Sequence, residues 1–509
     1  MAQTPASTTP RPLGDLLRDA GLPVPAAIDR EAVITAVADD SRRVIPGALF
    51  VAIPGTEDDG GKYIPDAIRR GAALIVASIG CKYADIAGAP VVRVGNARLA
   101  LGHLAHAFHG WPTRDLLTVG VTGTKGKTTT TYLLEAVLGA AGHRPGVIGT
   151  IEGRFGVRRW PTETTTPSPV ALASIASEMR GAGATALALE ASSHGIEQER
   201  LAGVSFDAAL FTNLSHDHLD YHGSMEKYGA VKKRLFTEGL AVCPGARAVT
   251  NIDEPLGLEI AEAYSALGPV TTFGRTPGAN VQILAAHATP FGTVLDLRVL
   301  GEPWTIESPL MGPGNVQNTA GTIAFAQALG IDRGVIQRGL AECRRIPGRL
   351  EPIHEGQPFL VLVDYSHTPA SLEMALGQCH ALRSPGGVGR ILVVFGCGGD
   401  RDALKRPVMG RIAAECADVV WVTSDNPRTE NPLAIIDQIL QGIPAAAAGR
   451  VHVQADRREA IHEALAAAAP GDIVLIAGKG HETYQELNGV KHPFDDAETA
   501  RAWLREHTR

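Results

Sequence analysis

The stretch Leu117 to Gly142, LTVGVTGTKGKTTTTYLLEAVLGAAG, constrains the fold more than any other part of the chain. Leu117 to Val121 alternates apolar residues and glycine like a short buried strand, and Gly123 to Gly126 supplies a flexible turn. Lys127 to Ala141 then has the apolar spacing of a helix, closed by Gly142. The order is strand, glycine loop, helix.

Such a loop suits a polyphosphate. Glycines let backbone N–H groups point at anionic oxygens, and the helix N-terminus adds partial positive charge. Within Gly123-Thr124-Lys125-Gly126-Lys127-Thr128-Thr129, Lys127 is placed to reach terminal phosphates and the Thr128 hydroxyl to ligate Mg²⁺. The stretch departs from the common pattern G-x-x-x-x-G-K-S/T because position 121 is Val. The plain alternative is an ordinary glycine turn, and Lys-Thr directly after the last glycine argues against it.

With 509 residues the chain has room for about three domains. A hydrophobic content of 45% and a mean hydropathy of +0.04 are enough to bury substantial cores. There are 47 basic against 54 acidic residues, a net charge of −7, which gives no basis for sequence-independent nucleic-acid binding. No apolar run reaches the ~18 residues that span a bilayer, and Met1 to Pro12 is polar and proline-rich without a signal peptide's apolar core. The expectation is a cytoplasmic protein, not inserted in a membrane, with residues 1–12 as a disordered tail. Six cysteines (Cys81, Cys243, Cys343, Cys379, Cys397, Cys416) are scattered without a C-x-x-C pair, so they read as reduced packing residues.

Residues 13–110 read as a small α/β domain. Val44 to Gly55 gives turn, strand and turn, and Tyr63 to Gly71 reads as a helix before the strand Ala73 to Ala77. Asp40-Ser41-Arg42-Arg43 precedes the first strand, and its plain reading is a solvated turn. Residues 111–348 alternate strand and helix, the signature of a mostly parallel sheet covered on both faces.

Three segments of this central region are unusually polar. Thr185 to Glu190 is a strand ending in a carboxylate, followed by Ser192, Gln198 and Arg200. Ligands collect at the carboxyl ends of strands in open α/β sheets, so Glu190 is expected near the phosphate loop. Asn213 to His222, NLSHDHLDYH, follows the strand Phe206 to Thr212 and offers histidines and aspartates to a metal such as Mg²⁺. Tyr228 to Phe236 puts Lys232 on a helix, where a solvated surface lysine is the alternative. A helix from Asn315 to Leu329 carries Asn315 and Asn318 on one face of its first turn.

Residues 349–509 repeat the alternation in a dinucleotide-fold-like, Rossmann-like pattern. Strands Phe359 to Val363, Ile391 to Phe395, Val419 to Thr423 and Ile473 to Ala477 each end in a polar or glycine cluster. The clusters are Asp364-Tyr365-Ser366-His367, Gly396 to Arg401, Ser424 to Arg428, and Gly478 to Glu482. Four such ends on one edge make a site.

These pieces together resemble the Mur ligase family, ATP-dependent amide-forming enzymes of peptidoglycan assembly. The resemblance rests on TGTKGKTTT at Thr122 to Thr130, EASSHG at Glu190 to Gly195 and NLSHDHLDYH at Asn213 to His222. It continues through GNVQN at Gly314 to Asn318, PGRLE at Pro347 to Glu351 and DYSHTP at Asp364 to Pro369. DSRRV at Asp40 to Val44, TTTPS at Thr164 to Ser168, YHGSMEKY at Tyr221 to Tyr228, GCGGDRD at Gly396 to Asp402, DNPR at Asp425 to Arg428 and GKGHE at Gly478 to Glu482 are similar to its diaminopimelate-adding branch.

The resemblance implies three α/β domains: a UDP-substrate domain, a central phosphate-loop ATPase and a C-terminal amino-acid domain that closes on the other two. It implies addition of meso-diaminopimelate to UDP-N-acetylmuramoyl-L-alanyl-D-glutamate, serving cell-wall synthesis and with it cell shape and division, by a protein expected to be a monomer. Carried over residue by residue, Ser41, Thr164, Thr165, Thr166, Ser192, Gln198 and Arg200 would bind the UDP-sugar peptide. Gly123 to Thr129, Asn318, Arg349 and Asp364 would hold ATP, with His367 on the nucleotide side. Lys232 would be carbamylated, joining Thr128, Glu190 and His218 around Mg²⁺. Arg401, Asp425, Asn426, Pro427, Arg428, Gly478 and Glu482 would take the diaminopimelate. Thr56-Glu57-Asp58 stands where some relatives carry a His-Gln-Ala nucleotide contact.

The chemistry agrees with the residues. A carboxylate must attack the γ-phosphorus of ATP to give an acyl phosphate, so two anions have to meet, and Lys127 with Mg²⁺ supplies the compensating charge. A folylpolyglutamate-synthetase-like amide ligase would share the central fold but gives no reason for DSRRV or DNPR. A nucleotide-switch protein would use the same loop without an amino-acid acceptor, against the four polar strand ends.

Overall fold

The computed structural model describes residues 9–26, 28–55, 59–85, 90–289, 292–383 and 389–507. Thr56-Glu57-Asp58 and residues 1–8 of the expected tail lie outside the described residues. Arg11 and Pro12, also placed in the tail from sequence, instead pair antiparallel with Ile34 and Val33. Two compact units emerge: one comprises residues up to Ala285 with Leu295–Ile306 and Gln317–Glu342, the other Ala286–Val294, Glu307–Val316 and everything from Cys343 onward.

Besides the Arg11–Pro12 pairing, two sheets lie wholly or mostly in the first unit. The smaller is parallel, in the order Val37–Ala38, Leu49–Ala52, Leu74–Ser78, Val91–Val94. All four residues of Leu49–Ala52 are buried, as continuous apolar strands are when both faces are covered. Helix Ala97–Phe108 starts at Asn96, whose side chain accepts from the backbone N–H groups of Arg98 and Leu99.

The larger sheet has the order Arg158–Trp160, Gly153–Phe155, Pro145–Ile148, Ala186–Glu190, Leu117–Thr122, Ala208–Phe211, Arg247–Asn251, Val270–Gly274 and Val281–Thr289, completed by Gly292–Val299 and Glu302–Ser308. From Pro145–Ile148 to Val281–Thr289 every pairing is parallel. Leu117–Thr122 lies between Ala186–Glu190 and Ala208–Phe211, with Glu190 opposite Val121 and Phe211 opposite Thr122. The chain leaves this strand on one side and later returns on the other, the switch point at which open α/β sheets bind ligands.

The second unit carries a six-stranded sheet in the order Glu351–Ile353, Leu360–Asp364, Ile473–Ala477, Ile391–Phe395, Val419–Val422, Val451–Val453. Its first pair is antiparallel and the rest are parallel. Separate apolar clusters cover the two faces, one around Leu376, Met409 and Ile436, the other around Trp421, Ile461 and Leu504. The four expected strands are present, within a residue at each end. The helix read from Asn315 begins earlier, at Pro313, and runs to Ala328. All six cysteines are free. Among the described residues no helix is long and apolar enough to cross a membrane.

Candidate active site

Gly126 caps the helix Lys127–Ala140 with φ +86°, so the loop enters the helix through a left-handed turn that a side chain would strain. Its absent Cβ also makes room for Asn318, whose Oδ1 would lie 2.3 Å from it. Lys127 Nζ folds back to donate to the carbonyls of Gly123 and Thr124, at 2.9 Å each. The loop is tied to the next strand's end: Thr124 N–H donates to Asn213 O, Lys125 N–H to Asn213 Oδ1, and Thr212 Oγ1 to Lys125 O. Lys125 itself pairs with Asp217 at 3.1 Å.

Glu190, 1% exposed, gathers the other side. Thr128 Oγ1 donates to its Oε2 at 3.1 Å, Thr150 Oγ1 to Oε2 at 2.9 Å and Thr150 N–H to Oε1 at 3.0 Å. A Cβ on Gly149 would stand 2.2 Å from Glu190 Oε1, so only glycine lets this carboxylate in. Thr150 was not read as a site residue from sequence. Its position just beyond the strand Pro145–Ile148 is the same strand-end signal that singled out Glu190.

Lys232, which pattern alone left between surface and site and the family resemblance assigned to the site, is 1% exposed. Its Nζ donates to Gly123 O at 2.9 Å and lies 4.2 Å from the centre of the Tyr228 ring. Burial, reinforced by the charge of Lys127, holds its pKa well below the usual lysine value. Burial thus favours the uncharged amine against the phosphate loop.

His218 adopts φ +53° beside Asp217, its Nδ1 3.9 Å from Asp217 Oδ1, and its ring meets that of His194 edge-on at 4.9 Å. His222 is instead taken up by Ser193, at 3.0 Å from Nε2. Among the described residues no three His, Cys, Asp or Glu side chains converge as a metal cage. The Thr128 hydroxyl paired with the Glu190 carboxylate nonetheless fits a hard ion that keeps waters and phosphate oxygens as most of its ligands.

A second constellation adjoins the smaller sheet. Arg200 donates to Thr164 Oγ1, Thr166 O and Gln198 Oε1, and Gln198 Nε2 to Tyr221 OH. Thr166 Oγ1 lies 3.0 Å from Ser192 Oγ. Arg200, Gln198 and Thr164 line a cavity of about 460 Å³ together with Asp39, Arg43 and Arg98. Ser41 lines an adjoining one of about 530 Å³. Thr165 departs from this set, its hydroxyl turning to Thr150 at 3.0 Å and so toward Glu190. Asp39 and Arg98 were not singled out in sequence, where each is one charge in a polar turn or on a helix, and Arg43 was named only as part of the DSRRV stretch.

In the second unit the strand ends converge as their register requires, Asp364 standing opposite Ala477 and Phe395 opposite Val422. Asp364 accepts from the Ser366 hydroxyl and from Leu350 N–H, while desolvation raises its pKa. Arg349 lies over the Tyr365 ring at 5.6 Å. His367 Nδ1 is 2.8 Å from Tyr365 O.

Across the sheet, Asn426 Nδ2 donates to Glu482 Oε2 at 2.8 Å. Arg428, at φ +50°, donates from Nη1 to Gly399 O at 2.7 Å and pairs through Nε with Glu486 at 3.4 Å. A Cβ on Gly398 would be 3.0 Å from Arg428 Nη1 and 3.9 Å from Arg401 Cγ, so both arginines border one glycine. Beneath them Arg457 and Asp496 form an ion pair with neither side chain exposed. Arg457 also donates to Ser424 O and Ala477 O, the carbonyls just ahead of the two loops.

A phosphate loop at the switch point of a parallel sheet, with a carboxylate and a buried lysine against it, defines a phosphate-loop α/β enzyme. Residues 33–109 match the Mur ligase family catalytic domain, 121–326 the Mur ligase middle domain and 348–480 the Mur ligase glutamate ligase domain. The chain belongs to the Mur ligase family.

It is 42% identical to the UDP-N-acetylmuramoyl-L-alanyl-D-glutamate–2,6-diaminopimelate ligase of Solibacter usitatus, over 97% of this chain and 98% of that one. Identity to the protein of the same name from Gloeobacter violaceus is 44%, over 92% and 94%. A solved structure bearing that name aligns with TM-score 0.72 at 31% identity, covering 98% of this chain and all of its own. Folylpolyglutamate synthase of Mycobacterium tuberculosis shares the fold, with TM-score 0.59 at 20% identity over 81% of this chain and 95% of that one.

Proposed function

We propose that the protein joins meso-diaminopimelate to UDP-N-acetylmuramoyl-L-alanyl-D-glutamate at the expense of ATP, in peptidoglycan precursor synthesis. The observation that carries the reading is the convergence of Lys127, Lys232 and the Thr128–Glu190 pair on one glycine loop. That arrangement suits attack of an anionic carboxylate on a polyphosphate, and the relatives' shared name specifies the partners.

In the first half-reaction a D-glutamate carboxylate oxygen bonds to the γ-phosphorus and ADP leaves, giving an acyl phosphate. Lys127 compensates the phosphate charge, its ammonium turning from the carbonyls of Gly123 and Thr124 to the γ-oxygens. Thr128 and Glu190 would hold one Mg²⁺, and His218 with a Lys232 carbamate a second. The ions supply charge neutralisation and a template for the phosphoryl oxygens. Arg200, Gln198 and Thr164 position the UDP-sugar peptide in the cavity they line, with Thr166 and Ser192 joined to them by hydrogen bonds and Ser41 in the neighbouring cavity, while Thr165 serves the phosphate side. Asn318, Arg349 and Asp364 contact the nucleotide.

Lys232 meets the condition for carbamylation, since only a neutral amine adds CO₂. Its burial provides that, and the product turns a repulsive neighbour of Lys127 into an anion.

In the second half-reaction the free amine of diaminopimelate attacks the acyl carbon, phosphate leaves and the amine loses a proton. Arg428 forks onto the distal carboxylate that lysine lacks, aimed by Pro427 and the Asp425–Asn426 turn. Glu482 faces an ammonium, and Arg401 and Gly478 complete the pocket. Residues 13–110, 111–348 and 349–509 are the proposed UDP-substrate, ATP and amino-acid domains.

The test supplies ATP, Mg²⁺ and UDP-N-acetylmuramoyl-L-alanyl-D-glutamate and asks which amino acid triggers phosphate release. Release with meso-diaminopimelate and not with L-lysine is expected. Equal turnover of the two refutes the assignment.

A further inference from the structure

Lys479 sits in the middle of the acceptor-side cluster, yet its side chain cannot reach solvent: it is 0% exposed. The local backbone explains how a lysine comes to point inward. Gly478 and Gly480 on either side adopt φ +118° and +53°, conformations that L side chains resist. A Cβ on Gly478 would stand 2.6 Å from Asp425 Oδ2, and one on Gly480 2.6 Å from Tyr365 Cβ. The chain is therefore pressed against the loops that follow Val419–Val422 and Leu360–Asp364 and rotates the intervening side chain into the domain.

The ammonium closes a ring of contacts. Nζ donates to Asn426 Oδ1 at 3.0 Å and to Glu482 Oε2 at 3.1 Å, and Asn426 Nδ2 donates to that same Glu482 oxygen. Asn426 Oδ1 also accepts from Glu486 N–H at 3.0 Å. An amide has two orientations, and a cation that only donates permits one of them: the oxygen toward Lys479 and the nitrogen toward Glu482. The Glu482 carboxylate is held through one oxygen by both partners. Its second oxygen takes part in none of these contacts.

We propose that Lys479 is a positioning residue for the amino-acid acceptor. It fixes the Asn426 amide and the Glu482 carboxylate in the orientation that receives the distal ammonium of the substrate. A buried ammonium is costly unless well paired, so the three groups act as one element and not as separate contacts. Being buried and doubly paired, this lysine is not a phosphate-binding group despite its Gly-Lys-Gly setting. The proposal rests on the reading that this edge of the second unit binds diaminopimelate.

The experiment is a kinetic mutant cycle on the full chain. Lys479→Met is expected to raise KM for meso-diaminopimelate by about tenfold or more, the equivalent of one well-made charged hydrogen bond, and to leave KM for ATP within about twofold. In an Asn426→Ala, Glu482→Gln background the same substitution is expected to change KM for meso-diaminopimelate less than about twofold, since its targets are gone. A merely structural lysine would show the same effect in both backgrounds. An unchanged KM in the single variant, or full additivity in the cycle, overturns the proposal. Should Lys479→Met not fold, Lys479→Gln is taken through the same cycle. Failure of both to fold makes the lysine a holder of the domain and equally overturns it. Failure of the unmodified protein to use meso-diaminopimelate is a separate result, which removes the proposed substrate instead.

Discussion

Around the phosphate loop the polar groups are mostly hydroxyls and backbone amides closing on one another, whereas at the strand ends of the second unit they are paired charges. Glu190 is satisfied by two threonine hydroxyls and one N–H, and Lys127 and Lys232 by carbonyls of the loop itself. Arg457 is paired with Asp496, Arg406 with Glu430, and Lys479 with Glu482. A site that must admit a highly charged nucleotide benefits from a cation resting on backbone carbonyls, as Lys127 does, because exchanging a carbonyl for a phosphate oxygen gains charge attraction. A site that must discriminate between two amino acids benefits from charges already locked in place, because rigid pairing makes a missing partner costly.

Substitutions can break that contrast. The largest effect is expected for Lys127→Ala, a loss of about 10³-fold in kcat/KM with the melting temperature unchanged, since the carbonyls of Gly123 and Thr124 that it bonds can be solvated. Near-normal turnover would end the phosphate-loop reading. Lys232→Ala is expected to lose about 10²-fold or more and to recover partly with small carboxylic acids, which would occupy the space of the proposed carbamate. Undiminished activity of the unrescued variant would remove Lys232 from the site.

Asp496→Asn should act on stability rather than on phosphoryl chemistry. Leaving Arg457 buried without its counter-ion costs about 3–5 kcal/mol, read as a lowered denaturant midpoint for the second unit. Arg428→Ala is expected to erase the preference for meso-diaminopimelate over lysine, a discrimination on the order of 2–5 kcal/mol, measured as the ratio of kcat/KM for the two amines. A retained preference would move the specificity elsewhere.

The smallest effect concerns pH. Desolvation holds His106 down to about 3, and His109 and His194 to about 4, against 6.5 in an unfolded chain. Their folded pKa values are depressed, so the stability they contribute is complete above pH 6.5. It declines as pH falls toward about 4 to 3, where the unfolded chain has taken up protons that the folded one refuses. All three lie in the first unit, and the second has His481, lowered to about 4 by burial and by Arg349. Scanning calorimetry from pH 7 to 4.5 should show the first unit's transition falling faster. Parallel decline of both would contradict this.

How much of this was legible in sequence follows from which interactions are local. The phosphate loop is contiguous, so its strand, turn and helix were readable within one residue, and Glu190 followed from the rule for strand ends. Lys232 was not readable from pattern, because Lys232, Lys233 and Arg234 follow one another and successive helix positions are about 100° apart. Only the packing of Met225–Arg234 decides which of them is buried. Arg428 was visible as a cation next to a proline, but its partner Glu486 comes from the hairpin Tyr484–Leu487 with Val490–Pro493, a pairing that no local signal announces. Asp39 and Arg98 were missed for the same reason: a cavity wall is assembled from distant segments.

Gly149 carries a consequence for how such an enzyme can vary. Every amino-acid replacement reachable from a glycine codon by one base change brings a Cβ, and here that atom would meet Glu190 Oε1 at 2.2 Å. The carboxylate would have to swing away from Thr128 and Thr150 before any new side chain could be accommodated. Two coordinated changes would then be needed where a drug or a shifting diet of substrates selects for one. A replacement at this position therefore disturbs the contacts of Glu190 with Thr128 and Thr150, whereas exchanging either threonine for serine keeps the hydroxyl that donates to it.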